Sequence, residues 1–318
     1  MNSLEVAPGI HRLEAPLGDR YVALYLIEGD EAALLVDTGV AGSPAETLGG
    51  VDAGRIRYVL VSHADFDHTG GNAAVRELCP GAIFCCHDLD RPLVEDLEAM
   101  LYQRYGEAIA DHGIDDGDEA RDSIRSNARH VPIELALTGG ERLRLGGDRE
   151  IEILHTHGHS RGHVTVWDPA ARVAVIADAV LWNAVLSASG EPVFPPTYRY
   201  VDAYVATIQR LQGMPIETLL TSHYPVYRGE EVGEFLAESR AFVDRADAAL
   251  REELSAAAEP PTLRELCDRL GPRLGSWPAE ATATLWFPLL GHLERLAAFG
   301  LLSTGRRDEV VTFRWSGG

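Results

Sequence analysis

No lysine occurs anywhere in the 318 residues. All 28 basic side chains are arginine, set against 49 Asp and Glu, so the formal net charge is -21 and the isoelectric point about 4.9. A lysine-free chain reads as codon bias rather than mechanism. The acidic balance, however, argues against non-specific nucleic-acid binding, which needs phosphate neutralisation by basic side chains. Cysteine is scarce as well: Cys79, Cys85, Cys86 and Cys267 form no C-x-x-C pair. That removes dithiol redox and thiolate zinc motifs and leaves reduced, mostly buried thiols. Cys85 and Cys86 are neighbours on an expected strand and point to opposite faces. No apolar run approaches the roughly 20 residues needed to cross a bilayer. The N-terminal residues show neither the basic start nor the apolar stretch of a signal peptide. A cytoplasmic globular protein with no membrane partner is the expectation, and 46% hydrophobic residues suffice for one large or two smaller domains.

What is present alternates between strand and helix. Tyr21–Ile27 and Ala32–Val36 flank a Gly-Asp turn and predict a hairpin. Ile56–Ser62, Ala82–Cys86, Glu141–Leu145, Ile151–Leu154, Val164–Trp167, Val173–Ile176 and Thr218–Ser222 read as further strands. Ala73–Leu78, Leu93–Ile109 and Val201–Leu211 read as helices. Residues 110–130, rich in Asp and Arg, predict a solvated helical insertion or loop. After about Glu230 only helices are expected (Val232–Ala258, Leu263–Leu270, Leu285–Phe299), closed by one short strand at Val310–Trp315. This pattern predicts an α/β layered fold over residues 1–229, with a helical insertion at about 90–135. A small winged-helix-like helical domain is expected over residues 230–318.

Metal-ligand residues cluster just after the predicted strands. His63-Ala-Asp65-Phe-Asp67-His68 follows Tyr58–Val61 directly. Further along come His155-Thr-His157-Gly-His159-Ser-Arg-Gly-His163, then Asp178 after Val173–Ile176, then His223 after Leu219-Leu-Thr-Ser. One Asp or His at a strand end is usually a turn or cap residue. Four such segments in order point to a shared cation site, because function in open α/β folds gathers at the C-terminal ends of strands.

The set resembles the metallo-β-lactamase superfamily, whose signature is His-x-His-x-Asp-His, then Gly-His, then Asp, then His. The likeness runs from about Leu4 to Arg228 and includes the Val36-Asp37-Thr-Gly39 turn. It implies a four-layered αββα sandwich and a dinuclear metal centre. By position, His63 and His159 would bind the first ion, with Asp65 where a second His is usual. Asp67, His68 and His223 would bind the second ion, and Asp178 would bridge both. His163 would support the site from behind, with His155 a weaker candidate for that role, and His157 would face solvent or the cleft. The residues after 230 resemble the C-terminal winged-helix module of a subset of these hydrolases.

Two divalent ions acidify a shared water, present hydroxide at neutral pH and polarise the oxygen under attack. Asp67 would be the catalytic carboxylate that orients the metal-bound hydroxide and accepts its proton. Asp65 makes the ligand set more anionic than usual, which favours manganese or iron relative to zinc; zinc stays the first expectation because the histidines suit it. If Asp65 fails to reach the first ion, the site is effectively mononuclear.

The expected activity is hydrolysis of a small ester, lactone or thioester. The alternatives are a phosphodiesterase or ribonuclease, an iron-dependent sulfur oxygenase or redox protein, and a non-catalytic metal sensor. Candidate substrate contacts are Tyr102, Tyr105, Trp182, Asn183 and the Pro195–Tyr200 stretch with Arg199. Tyr224 leads this group, because a phenol beside His223 could donate to an oxyanion. From Glu230 onward 15 acidic residues face 10 Arg. A C-terminal module of that sign is expected to pack on the catalytic domain, cover the cleft or mediate a homodimer rather than bind DNA.

Overall fold

The structure, a computed structural model, describes residues 3–317. Met1, Asn2 and Gly318, the outer ends of the two expected domains, lie outside the described residues. Two mixed sheets carry the fold. The first has seven strands in chain order: Ser3–Ala7, Ile10–Leu17, Arg20–Glu28, Ala33–Val36, Ile56–Leu60, Ile83–His87 and Leu135–Leu137. Its first four strands are antiparallel, including the predicted hairpin, and the last three join in parallel. The second sheet has six strands. Arg142–Gly146, Arg149–His155, Val164–Asp168 and Val173–Ala177 run antiparallel. Val173–Ala177 then pairs in parallel with Thr218–Thr221, and Tyr227–Arg228 closes the edge. A parallel pair needs a crossover, and the helix Val201–Gln212 lies within that connection.

Side-chain alternation turns these sheets into layers. In Arg20–Glu28, Ala23, Tyr25 and Ile27 point into a core shared with the second sheet, whereas Val22, Leu24 and Leu26 pack toward Val75, Val94 and Met100 of the helices outside. In Val173–Ala177, Val173 and Val175 face the first sheet, while Ala174 and Ile176 face helices. Three apolar interfaces therefore separate four layers, in the expected αββα order.

Two local expectations change. The segment read as one helix, Leu93–Ile109, is broken into Arg91–Glu95, Leu97–Ala99, a wide π-type turn at Met100–Tyr105 and Ile109–His112. The break is at Asp96, whose backbone is extended and whose side chain accepts from the amides of Glu98 and Ala99, restarting the helix. The closing strand Val310–Trp315 also has a partner, Leu302–Arg307, with which it forms a hairpin. That partner was missed because all of its residues but Leu302 are exposed, so it carries no apolar pattern.

The C-terminal residues form the helices Glu230–Ala256, Leu263–Leu274 and Trp286–Ala298 followed by this hairpin. Phe235, Phe242, Leu250, Leu270 and Leu289 belong to the same apolar cluster as Ile176, Tyr204 and Leu219, so the core is continuous across the expected boundary at 229/230. No helix among the described residues is long and apolar enough to cross a membrane.

Arg199, expected among the substrate contacts, is instead 3% exposed and ties three segments together. Its guanidinium donates to both oxygens of Glu107 in the insertion, at 3.1 and 2.8 Å, and to both of Glu294 in the C-terminal helix, at 2.7 and 2.6 Å. Both glutamates keep some contact with water and can resolvate, so Arg199→Ala is expected to cost about 1–3 kcal/mol. Urea unfolding should show it; an unchanged midpoint would mean that the three segments hold together without this cross-link.

Candidate metal centre

Each ligand-bearing segment leaves its strand at the same end of the sandwich. His63–His68 follows Ile56–Leu60, the His155–His163 loop follows Arg149–His155, Asp178 follows Val173–Ala177, and His223 follows Thr218–Thr221. The sheets thus bring together residues up to 160 positions apart. All seven expected ligands fall into three overlapping groups: His63, His68 and Asp178; His63, Asp65 and His159; and Asp67, His68 and His223.

Asp37 organises the first segment from behind. Its backbone is left-handed (φ 64°). One carboxylate oxygen accepts from the Ser62 amide at 2.7 Å; the other accepts from the Ser62 hydroxyl and His68 Nδ1, each at 2.8 Å. With its proton committed to Asp37, the Ser62 oxygen accepts from His63 Nδ1 at 2.9 Å. Both imidazoles are thereby held with Nδ1 engaged and Nε2 turned toward the pocket, the orientation that a metal needs. His223 is oriented likewise by the Tyr21 carbonyl (2.9 Å), and His159 by that of Thr197 (3.2 Å). Asp90 staples the first two loops, accepting from the Ala64 and Gly162 amides and from the Ser160 hydroxyl. Gly158 precedes His159 with φ 142°, and a Cβ there would lie 2.5 Å from the Tyr204 backbone, so the loop needs glycine.

The second expected ligand group has open, ion-sized spacing. Oδ2 of Asp178 lies 3.3 Å from His223 Nε2 and 3.7 Å from His68 Nε2, while Oδ2 of Asp67 lies 3.4 and 3.9 Å from the same two nitrogens. Tetrahedral ligands at ~2.1 Å from an ion stand ~3.4 Å apart. His68 Nε2 and Asp178 Oδ1 are buried without a hydrogen-bond partner. Two carboxylates and two imidazoles gathered in a desolvated pocket, with polar atoms left unpartnered, fit a divalent cation.

Charge coupling within the group is strong. Burial lowers the pKa of His68, but Asp37, Asp67 and Asp178 outweigh it and hold the value well above that of a free imidazole. Burial opposes protonation of His223 as well, and Asp178 and Asp67 push it up to about 9. Burial raises Asp67, yet His68 and His223 bring it down to about 2.

The Asp65 group differs. Asp65 Oδ2 is 2.9 Å from His159 Nε2, a hydrogen-bond spacing, and 3.5 Å from His63 Nε2. Arg104, 5% exposed, reaches in from the π turn, with Nε 2.9 Å from Asp65 Oδ1 and Nη2 3.2 Å from both Asp65 Oδ2 and His159 Nε2. The pKa of Asp65 would rise on burial, but Arg104 holds it well below the usual carboxylate range. No sequence signal marked Arg104, because only the π turn aims it here.

His163 stacks on His63 at 4.8 Å, the supporting place expected of it. His155 instead stacks with His87 at 4.0 Å and with His157 at 4.5 Å in a separate row, and neither His155 nor His157 joins the ligand groups. Tyr224 is corrected as a substrate contact: it is fully buried, and its hydroxyl donates to the Ala184 carbonyl and accepts from the Trp182 amide. Tyr198 is likewise buried, bonded to His292; Asn183 binds Glu238, and Tyr102 lies exposed. Of the aromatics proposed for the mouth, Tyr105 reaches the cavity.

That cavity, ≈ 330 Å³, is lined by Asp65, Asp67, His159, Asp178 and His223 together with Phe66, Tyr105, Val185, Phe194, Phe287 and Arg20. Phe287 and Thr284 come from the C-terminal region and Ile124 from the insertion, so both complete the site. A larger cavity, ≈ 740 Å³, opens beside His157 and Tyr200 but touches none of the ligands.

A family model for the metallo-beta-lactamase superfamily matches residues 17–223, most of the two-sheet body. The chain belongs to that superfamily. As a metallo-beta-lactamase superfamily member it is similar to a human acyl-coenzyme A thioesterase, MBLAC2, with 24% identity over 232 residues, 66% of this chain and 75% of that protein. A hydroxyacylglutathione hydrolase of Nitrosococcus oceani is 26% identical over 130 residues, covering 41% of this chain and 35% of that protein. Among solved structures, the metallo-beta-lactamase family protein TTHA1429 of Thermus thermophilus has a TM-score of 0.74 at 21% identity, covering 98% of this chain and all of that one. A beta-lactamase domain protein of Burkholderia ambifaria has a TM-score of 0.75, also at 21% identity, over 99% of this chain and 94% of that one. These likenesses extend the shared fold through the C-terminal helices.

Two expectations follow for metal binding. His223, pushed up to about 9, keeps its proton near neutral pH in the metal-free chain, so an ion must displace about one proton there. Calorimetry in buffers of different ionisation enthalpy should show that release near pH 7, shrinking above pH 9 as His223 loses its proton unaided. Heat independent of buffer would contradict the coupling. Asp37→Asn should weaken metal binding about 10–100-fold, because it frees the rotation of His68 and Ser62; competition against a chromophoric chelator measures this.

Proposed function

We propose that this protein is a metal-dependent hydrolase of a small thioester or ester, acting at the pocket formed by Asp67, His68, Asp178 and His223. The observation that carries the reading is one cavity lined both by Asp67, Asp178 and His223 of this set and by the apolar side chains Phe66, Val185, Phe194 and Phe287. Such a site can hold a polarised acyl carbonyl against the ligand wall and an apolar acyl chain against Phe194, Phe287 and Val185. Two distant relatives carry names that describe hydrolysis of S-acyl compounds, an acyl-coenzyme A and a hydroxyacylglutathione. Their names support a thioester ahead of lactone and ester in this reading.

A divalent ion bound here supplies an acidified water and polarises the carbonyl oxygen. The chain's own groups do the rest. Asp67 lines the cavity next to His223 and, held low at about 2, is ionised, so it can accept a hydrogen bond from the attacking water and orient it. Arg20, whose guanidinium lies 4.9 Å over the Phe194 ring, offers positive charge to an anionic part of the substrate at the mouth. Phe66, Phe287 and Tyr105 limit water, which strengthens each of these interactions.

Zinc is the proposed ion. An unpaired Asp65 would favour a harder ion, but Arg104 neutralises that carboxylate. The two ions expected from the sequence would require the first to share its corner with this guanidinium. The residues from 230 onward are proposed as a winged-helix-like cover for the cleft rather than a nucleic-acid reader, since Thr284 and Phe287 wall the cavity. The substrate is proposed to be a small molecule, the compartment cytoplasmic and a homodimer the candidate assembly.

The test is a panel of short- and medium-chain acyl-thioesters, esters and lactones offered to zinc-loaded protein. Thioester turnover that disappears with chelation is expected. Asp67→Ala should cost about 10²–10⁴-fold in kcat while leaving the unfolding midpoint of the metal-free protein near that of the parent. Zinc-loaded protein that turns over none of the panel would overturn the proposal.

A further inference from the structure

The corner assigned by sequence to the first ion already contains a positive group. Asp65 Oδ2 and His159 Nε2 approach to 2.9 Å. Because His159 spends its Nδ1 proton on the Thr197 carbonyl, its Nε2 is an acceptor, and so is the carboxylate oxygen facing it. Two acceptors so close and nearly dry repel each other unless a donor or cation lies against both. Arg104 Nη2 does so, 3.2 Å from each. The other arm of the fork, Nε on Asp65 Oδ1 at 2.9 Å, makes the pair bidentate and fixes the guanidinium plane. Arg104 Cζ also lies 4.8 Å over the ring of Phe287, so the group is clamped from the C-terminal side too.

We propose that the Arg104 guanidinium takes the place of the first metal ion, so that the protein carries one divalent ion, in the Asp67–His68–Asp178–His223 pocket. This inference rests on the reading of that pocket as a metal site. Three observations carry it. The atoms that would ligate the first ion, Asp65 Oδ2 and His159 Nε2, are the two that Nη2 engages, so an ion there would have to take the His159 lone pair from it. An arginine cannot escape the resulting like-charge contact by losing its proton, as a lysine could. Among the described residues no arginine hydrogen-bonds Asp67, Asp178 or His223, and their spacing of 3.3 to 3.9 Å with His68 leaves room for an ion. His63, whose Nε2 has no hydrogen-bond partner and belongs to a ligand group with His68 and Asp178, is then free to serve the single ion.

Asp65 thereby acquires a different task. It anchors Arg104, and the pair adds no net charge where the superfamily signature has a neutral histidine. The substitution of carboxylate for imidazole and the buried arginine 39 residues later form one unit.

Metal counting tests this without reference to activity. Protein stripped with chelator, reloaded with excess Zn²⁺ and desalted should hold about one ion per chain by elemental analysis. Anomalous scattering should place it against Asp67, His68, Asp178 and His223. Arg104→Met keeps an unbranched chain over Phe287 but removes the cation, and it should hold about two. The double variant Asp65→His with Arg104→Met leaves no unpaired carboxylate, so it guards against misfolding of the single variant and should also hold two. Two ions in the parent protein, or one ion in parent and both variants alike, would overturn the proposal while leaving the hydrolase reading intact. No ion in the parent would overturn both.

Discussion

Three carboxylates, Asp65, Asp67 and Asp178, meet four imidazoles in a pocket from which water is largely excluded, and the compensation of that negative charge governs the rest of the structure. Desolvated carboxylates are costly unless each finds a positive or donating partner. Asp65 finds Arg104. Asp67 and Asp178 face His68 and His223, which respond with raised proton affinity. A bound divalent ion would answer the same demand more fully, which is why ion and proton compete there. The seven side chains form one electrostatic problem solved differently at its two ends.

The scaffold can sustain this concentration because its ligands are held from behind. Asp37 reaches His68 directly and His63 through Ser62, while the Tyr21 and Thr197 carbonyls fix His223 and His159. Asp90 locks the His63 and His159 loops together. Their effect is to leave each ligating atom aimed inward before any ion arrives. The regions beyond the two sheets add the other half of the site. The insertion contributes Tyr105 and Arg104, the C-terminal helices contribute Phe287 and Thr284, and Arg199 with Glu107 and Glu294 cross-links the two regions behind the cavity.

The layered fold and the ligand set were legible in the chain because both are written in local patterns. Unbroken apolar runs in Arg20–Glu28 and Val173–Ala177 announce strands buried on both faces. A run such as His63–His68 immediately after a strand has no use in a core. The breaking of the expected 93–109 helix was less legible, since helix formers on both sides of Asp96 mask a capping aspartate. The strand Leu302–Arg307 was invisible for the opposite reason: an exposed hairpin arm needs no apolar pattern. Tyr224 misled because adjacency to His223 in sequence says nothing about which way a side chain turns, and this one turns into the core.

Residue type and order alone determined that cation ligands would gather at one end of an αββα sandwich, because strand ends and ligand chemistry are both short-range properties. Only the tertiary structure decided which cation stands beside Asp65. The guanidinium of Arg104 arrives from a turn whose geometry depends on packing against Phe287 and the strand ends, a contact between segments far apart in the chain. Electrostatic compensation acts through space, and a sequence read residue by residue carries no record of the distances over which it acts.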